Sequence, residues 1–174
     1  MQAISDGAIF TAFRTDRESG CRLLLRRFKE PLYVHIRRIT VSHDDAEDAL
    51  QETFIRLFRS FGKLDESRNS LTAWAYTVAT REAFRVRSSR RVHQLLDDAA
   101  HIAADSYIDY LDVEAVALQR AIHSLPPKQQ VVFNLRYYDN MEYAEIAQIA
   151  DCSPESAKVN FSKAKQKIIK LLEI

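Results

Sequence analysis

Serine, lysine and asparagine side chains recur along the last helical pattern of the chain, at a spacing that suits nucleic-acid binding. They are Ser156, Lys158, Asn160, Lys163, Lys165 and Lys167. Lysines bind phosphates, and an asparagine amide can pair with the edge of an adenine. The other face of the same pattern is apolar and predicts a buried side; it holds Ala157, Phe161, Ala164 and Ile168. The chemistry indicated is recognition of DNA.

A helix-turn-helix is the element that must position these side chains. A short amphipathic pattern covers 142–150, and a brief turn separates it from the lysine-bearing helix. Ser153 predicts the start of the second helix, because serine is a good cap and Pro154 fits the first helical position. The turn needs a residue that tolerates the left-handed conformation, which Asp151 does. Small Ala147 lets the two helices cross closely.

Basic and acidic residues cluster in separate segments of this chain, although the net charge is small. The net charge is +1, but basic residues crowd 81–91 and 158–170, whereas 92–119 holds acids and no lysine or arginine. In a helix-turn-helix the second helix can enter the major groove. The alternative for the motif is an αα-corner inside a helical bundle, where the lysines would only be solvated. The capping signals and the lysines together favour DNA binding.

Composition predicts an all-α protein. The 174 residues are 47% hydrophobic, with three glycines and four prolines. We expect two small helical domains, 1–91 and 113–174, joined by an acidic linker at 92–112, with the helix-turn-helix in the second. Cys21 and Cys152 stand singly, which favours small buried thiols over a disulfide or a zinc site. No apolar run approaches the roughly twenty residues of a membrane span, so we expect a cytoplasmic protein without membrane insertion.

Capping residues predict the helices of the first domain. Asp6 is the expected cap of a first helix. A second pattern begins near Glu18, and Pro31 is expected to bend or break it. Ser42 and Ser70 are expected to start two further helices, because each precedes a long stretch of helical periodicity.

The helix after Ser42 has the most regular pattern in the chain. Its buried stripe is predicted to be Ala46, Ala49, Leu50, Phe54, Leu57, Phe58 and Phe61. A second stripe on the other side holds Asp48, Gln51, Glu52, Ile55 and Arg59. An isoleucine among acids on an exposed face indicates a docking surface, although a stray exposed apolar residue is common.

Three segments in order resemble the conserved regions of bacterial sigma factors. Residues 45–54 (DAEDALQETF) resemble the helix by which these factors grip the clamp helices of RNA polymerase. Residues 70–79 (SLTAWAYTVA) are similar to the promoter-melting segment, and 125–136 (LPPKQQVVFNLR) with the helix-turn-helix to the fourth conserved region. The resemblance covers nearly the whole chain, and the short connection between the regions is typical of the extracytoplasmic-function group.

The resemblance implies core RNA polymerase, promoter DNA and an anti-sigma factor as partners. It assigns polymerase docking to Asp48, Gln51, Glu52 and Ile55. It assigns the minus-ten element to Lys63, Arg68, Asn69, Trp74, Tyr76, Arg81 and Arg85. It assigns the minus-thirty-five element to Ser156, Lys158, Asn160, Lys163 and Lys165. The loop at 62–69 would capture a flipped base, and the two aromatic residues either stack on bases or belong to the core.

Two other function classes are weighed against a sigma factor. A stand-alone helix-turn-helix regulator would leave the acidic stripe and the arginines of 81–91 unexplained. An enzyme using Asp44, Asp48 and Glu52 would need a partner base or metal ligand. No Glu-x-x-His pair accompanies them, and the five histidines are scattered. We therefore expect neither enzymatic activity nor a cofactor or metal.

Overall fold

The computed structural model describes residues 4–67, 70–89 and 113–172, and all regular structure in these ranges is helical. The chain divides into two units, Met1–Ser89 and Arg90–Ile174. The all-α prediction is confirmed. The predicted linker at 92–112 lies outside the described residues.

Four α-helices form the first unit within its described residues, 4–67 and 70–89. They are α1 (Asp6–Thr15), α2 (Arg17–Thr40), α3 (His43–Ser60) and α4 (Leu71–Ser89), with a 3-10 turn at Phe61–Lys63 after α3. Ser42 and Ser70 cap α3 and α4 as predicted, each accepting a hydrogen bond from a backbone amide three residues on. The apolar stripe of α3 faces α2 and α4, so most of its members are buried.

The cap of α1 is Ser5, and the prediction of Asp6 is wrong. The Ser5 hydroxyl accepts from the amide of Ala8 at 3.2 Å. Asp6 lies in the first turn, where its carboxylate accepts from the amide of Leu71 at 3.3 Å and pairs with Arg27. This acid therefore ties α1 and α2 to the first turn of α4.

Helix α2 runs through Pro31 without ending, contrary to a break at that residue. Pro31 is exposed, so the carbonyl that loses its helical partner can be hydrated on the outer side. Leu24, Leu32 and Ile36, which flank the proline, are fully buried and hold the helix together by packing. Cys21 is half-buried rather than buried.

A close approach of α1 to α2 depends on Gly20. The Phe13 ring lies against the Gly20 backbone, such that a methyl group built there would stand 2.4 Å from the ring. The other side of the ring stacks on Phe61, with centroids 3.6 Å apart. Phe61 in turn meets Trp74 edge-on at 6.0 Å. This row of aromatic rings links α1, the turn after α3 and α4.

Gly20→Ala is expected to destabilise the first unit, because the new methyl group must displace Phe13. Overpacking costs about 1–3 kcal/mol, of which the better helix propensity of alanine offsets about 1 kcal/mol. Urea unfolding followed by the fluorescence of Trp74, the single tryptophan, measures this unit alone. The control is Gly7→Ala, whose methyl group has no atom within 4 Å. Equal stabilisation of both variants would contradict the packing argument.

Four further helices lie in the described part of the second unit, residues 113–172. They are α5 (Val113–His123), α6 (Pro127–Tyr137), α7 (Tyr143–Ala150) and α8 (Pro154–Leu171). Its core joins α5, α6 and α8 through Ala121, Ile122, Leu125, Phe133, Ala164 and Ile168. Helix α8 packs against both α6 and α7.

The turn between α7 and α8 has the predicted geometry. Asp151 adopts the left-handed conformation, with φ 51° and ψ 63°. The Ser153 hydroxyl accepts from the amide of Ser156 at 3.1 Å and caps α8, and Pro154 takes the first helical position. Ala147 is buried, as expected of a small residue at a helix crossing. The pair of helices therefore has the predicted helix-turn-helix form.

Candidate functional sites

The acidic stripe of α3 is a partly exposed surface. Asp48 and Gln51 are exposed, and Ile55 is half-buried. Their spacing of three and four residues places them on one side of the helix. Glu52 is also half-buried and accepts a hydrogen bond from Arg56 at 3.2 Å. The stripe thus offers a carboxylate, an amide and an apolar side chain to a partner.

Glu82 fixes the arginines next to this stripe and was missed as a functional residue in the sequence. Its side chain is 5% exposed and pairs with Arg56 of α3 at 2.8 Å and with Arg85 of α4 at 2.7 Å. The hydrogen bond to Glu82 raises the pKa of Arg85, which keeps that guanidinium charged. The buried carboxylate therefore joins α3 to α4 and holds a cation at the surface.

One face of α4 carries three of the predicted DNA-binding residues. Trp74, Arg81 and Arg85 follow one another at seven and four residues, so they lie in one row along the helix. Arg81 and Arg85 are exposed, and Trp74 is half-buried. Lys63 is exposed in the 3-10 turn before α4. The row can present two charges and an aromatic edge to a nucleic acid.

Tyr76 does not belong to this face, and its assignment to DNA is corrected. The side chain is 5% exposed, and its ring packs against His35 with centroids 5.0 Å apart. A base cannot stack on a ring that is covered on its faces by α2. Of the two aromatic residues considered, only Trp74 reaches the surface. Arg68 and Asn69 lie outside the described residues.

A groove of about 810 Å³ lies beside the predicted base-capturing loop. Its lining is aromatic, basic and polar: Phe10, Phe13, Arg14, Arg17, Phe58, Arg59, Phe61, Gly62, Leu64, Asp65, Glu66 and Ser67. Sequence reasoning missed the contribution of α1, since no local pattern pairs it with a loop some fifty residues on. The groove combines aromatic side chains with cations, which are the residue types that bind unstacked bases.

Hydrogen bonds and an ion pair shape the loop that borders this groove. Arg14 pairs with Glu66 across the groove's rim. Asp65 accepts from the hydroxyl of Ser67 at 2.7 Å and from its amide at 3.0 Å, and these bonds lower the pKa of Asp65. An aspartate that bonds to the residue two positions on makes a local turn. Residues 64–67 are therefore held in shape before any ligand binds.

The lysine-bearing helix presents the predicted polar set unequally. Ser156, Lys158, Lys163 and Lys165 are exposed. Asn160 is half-buried, and its amide nitrogen donates to the carbonyl of Ser156 at 2.9 Å. This bond uses one of the two amide hydrogens, and the other hydrogen and the amide oxygen keep the capacity to pair with an adenine. The exposed lysines can reach phosphates, Lys165 from a position where its ammonium lies 5.8 Å from the centre of the Phe161 ring.

A buried histidine joins α2 to α4 and belongs to none of these surfaces. His35 Nε2 lies 2.8 Å from the hydroxyl of Thr80, which itself donates to the carbonyl of Tyr76. Thr80 must therefore accept from His35, so Nε2 carries a hydrogen, and a second proton would have to go on Nδ1, which is buried without a hydrogen-bond partner among the described residues. Burial, aided by the charge of Arg38, lowers the pKa of His35 to about 3.

The described part of the chain shows neither a metal-binding cluster nor a membrane-spanning helix. Across 4–67, 70–89 and 113–172, no cluster of three or more histidine, cysteine or acidic side chains could hold a metal ion. Within the same ranges, no helix has the length and hydropathy to cross a membrane.

Comparisons with known families match both helical units. Residues 24–93 match the family model described as Sigma-70 region 2, and residues 115–168 match Sigma-70, region 4. The chain is 30% identical over 131 residues to the ECF RNA polymerase sigma factor SigF of Caulobacter vibrioides, covering 74% of this chain and 72% of that protein. It is 23% identical to the ECF RNA polymerase sigma-E factor of Haemophilus influenzae, covering 96% and 95%.

Solved structures share the fold. CnrH, solved in complex with the cytosolic domain of CnrY, superposes with a TM-score of 0.73 at 18% identity, covering 95% of this chain and 94% of that one. The sigma factor RpoE of Bartonella quintana, solved with the anti-sigma factor NepR, gives a TM-score of 0.63 at 21% identity, covering 90% and 96%. At these identities the similarity establishes the helical fold.

Proposed function

The chain belongs to the extracytoplasmic-function (ECF) group of RNA polymerase sigma factors, and we propose that its two helical units divide promoter recognition between them. It is an alternative sigma factor, which binds core RNA polymerase and directs promoter-specific initiation of transcription. The observation that carries this conclusion is the ordered pair of matches, region 2 at 24–93 and region 4 at 115–168. A stand-alone helix-turn-helix regulator is not favoured, because that function does not account for the match to Sigma-70 region 2 at 24–93.

The first unit, assigned to 1–91, would dock on polymerase through the stripe of α3. Asp48 and Gln51 are exposed there, and the partly covered Ile55 supplies apolar contact. Glu52 completes the set beside its bond to Arg56. A charged rim around an apolar centre is the usual anatomy of a protein interface. The ion pairs of Glu82 support the proposal, because they fix α3 on α4 and so fix the stripe relative to the DNA-facing row.

The same unit would open the minus-ten element by trapping an extruded base in the groove beside 62–67. Opening costs a few kcal/mol per unpaired base, which a pocket that fits the base can repay. The half-buried rings of Phe13 and Phe58 and the cation of Arg14 line this groove and would supply apolar contact and charge. Arg81 and Arg85, with Lys63, would follow the phosphates and add affinity that does not depend on sequence.

The second unit, assigned to 113–174, would bind the minus-thirty-five element through α8. Its first turns carry Ser156 and Lys158 exposed, and Lys163 and Lys165 continue the basic surface. The first half of a recognition helix is the part that meets base edges. The segment at 92–112 would then connect the two promoter-binding units.

An anti-sigma factor and a cytoplasmic location complete the proposal. Both solved relatives reported above were captured with a protein partner, and for the Bartonella protein that partner is an anti-sigma factor. A sigma factor must meet polymerase and chromosomal DNA, which places its activity in the cytoplasm. We propose that a protein of this type controls access of the chain to polymerase.

The function is tested by mixing the purified chain with core bacterial RNA polymerase. Co-elution in gel filtration, followed by discrete new start sites on a genomic fragment library, is the expected result. The aligned start sites would also give the minus-ten and minus-thirty-five sequences. Failure of a folded, inhibitor-free chain to co-elute, together with tight operator binding by the chain alone, would favour the stand-alone regulator.

Lys163→Ala is expected to weaken promoter binding by about the same factor on all sequences. One lost phosphate contact should flatten the slope of log affinity against log salt by about one unit. Titration of holoenzyme onto promoter DNA at several salt concentrations measures both quantities. Lys170→Ala is the control, since it removes the same exposed charge about 10 Å further along α8. A changed base preference would instead mean that Lys163 reads a base edge.

A further inference from the structure

Val159 is an exposed apolar residue on the DNA-facing side of α8. Its exposed fraction is 51%, although it lies in a helix whose other exposed residues near it are charged or polar. It follows Ser156 by three residues and precedes Lys163 by four, so these three share one row. The row points away from the buried Ala157 and Ala164. The valine is thus at the centre of the surface assigned above to DNA.

Stability does not explain a valine at this position. A β-branched side chain lowers helix propensity, because its χ1 freedom is restricted by the preceding turn. At half exposure it also gains little from burial, and lysine, glutamine or alanine would suit a solvent-facing helix position better. A single exposed apolar residue has little meaning by itself. Its place in a row of DNA-facing residues makes it a candidate for recognition.

The asparagine next to the valine is half-buried and tied to its own helix, whereas the valine is exposed and has no such bond. The amide nitrogen of Asn160 donates to Ser156 O at 2.9 Å, so that side chain is folded back on its own helix. Lys158 and Lys163 stand on either side and are exposed. Lysines at the rim and an apolar side chain between them match a DNA groove, with phosphates at its edges and bases at its floor.

The major groove presents one apolar group to a protein, the 5-methyl of thymine. We propose that Val159 contacts a thymine methyl in the minus-thirty-five element and sets the base preference at that position. The inference rests on the proposed use of α8 as the recognition helix. The positive charge of the flanking lysines favours duplex DNA as the ligand of this face over a protein surface that carries no acidic residues.

Replacing thymine by deoxyuracil tests the contact, because it removes the methyl group and leaves the hydrogen-bonding edge unchanged. Holoenzyme is titrated onto promoter duplexes in which each minus-thirty-five thymine is replaced in turn. At one position the wild-type chain should lose about fourfold in affinity, the worth of one buried methyl group. Val159→Ala should bind the unmodified promoter about as weakly as the wild type binds the promoter with deoxyuracil at that position. Deoxyuracil at the same position should cause no further loss of affinity in this variant.

The control is Ile169→Ala, which truncates another exposed apolar side chain of the same helix, 46% exposed and far from its first turns. It should keep the wild-type sensitivity to every deoxyuracil. Equal sensitivity of wild type and Val159→Ala at all positions would overturn the inference while leaving the proposed function intact. So would a Val159→Ala defect that is the same on every DNA, or appears only with a protein partner. Wild-type holoenzyme without any promoter selectivity would overturn the proposed function and the inference together.

Discussion

Asp48→Arg combined with Gln51→Ala is expected to abolish binding to core RNA polymerase while the chain stays folded. Both side chains are exposed in the free protein, so the substitutions remove no core packing. A positive charge placed against an interface that receives a carboxylate costs several kcal/mol, which corresponds to a loss of affinity of at least about a hundredfold. Gel filtration with core polymerase, and competition against the wild-type chain, measure the effect.

A charge reversal elsewhere on the first unit separates docking from general electrostatics. Glu30→Arg makes the same change of net charge at an exposed position of α2 that belongs to none of the proposed surfaces. This variant should co-elute with polymerase as the wild type does. Helical circular dichroism and Trp74 fluorescence verify that both variants are folded. Normal holoenzyme formation by the folded double variant would show that the stripe of α3 is not the docking surface.

Local features of the fold were predictable because their causes are local. A serine before a helical pattern can satisfy the free amides of the first turn, and Ser42, Ser70 and Ser153 do so. The left-handed Asp151 follows from the short turn of a helix-turn-helix. The apolar stripe of α3 could be predicted because apolar residues on one face of a helix recur at regular helical spacing in the sequence. In each case the deciding contacts lie within a few residues of sequence.

Features that depend on distant contacts were not predictable. Asp6 was read as a cap, but its carboxylate instead meets the amide of Leu71, 65 residues away. Arg14 and Glu66 are 52 residues apart, and nothing in either neighbourhood indicates their pairing across the groove. The sequence around Glu82 likewise does not indicate its ion pair with Arg56, because Arg56 lies on another helix. The groove proposed to capture a base was therefore foreseen only on its loop side.

The exposure of the predicted DNA-binding residues has two causes. One is the position of the residue along its helix, and the other is the packing of side chains around it. Trp74 and Tyr76 are two positions apart in α4, so they point to different sides of the helix. Which side is buried depends on α2, whose His35 covers Tyr76. Asn160 was favoured for its chemistry, but it is half-buried and a bond within its own helix uses one of its two amide hydrogens. Residue type indicates what a side chain can bind, and tertiary contacts decide whether it is available.

The first unit is expected to lose stability as the pH falls from 7 to 5, because His35 is buried as the neutral ring. Its pKa is about 3 in the folded chain against 6.5 when exposed. Between these values the unfolded state binds the extra proton, so unfolding becomes easier by about 1.4 kcal/mol for each pH unit below 6.5. From pH 7 to pH 5 the loss is about 2 kcal/mol, or roughly 8–15 °C in Tm for a unit of this size.

His35→Gln is the variant that isolates this effect. The glutamine amide can still donate to Thr80, but it does not titrate. Between pH 7 and pH 5, the free energy of unfolding of this variant should therefore fall by about 2 kcal/mol less than that of the wild type. This difference does not depend on how stable the variant is at pH 7. Trp74 fluorescence follows the first unit alone, and the other histidines contribute equally to both proteins. Asp16 and Asp65 have lowered pKa values, so their stabilising contribution is lost only in more acidic solution. Parallel pH profiles for the two proteins would mean that His35 takes up its proton without cost, and that burial does not hold the ring neutral.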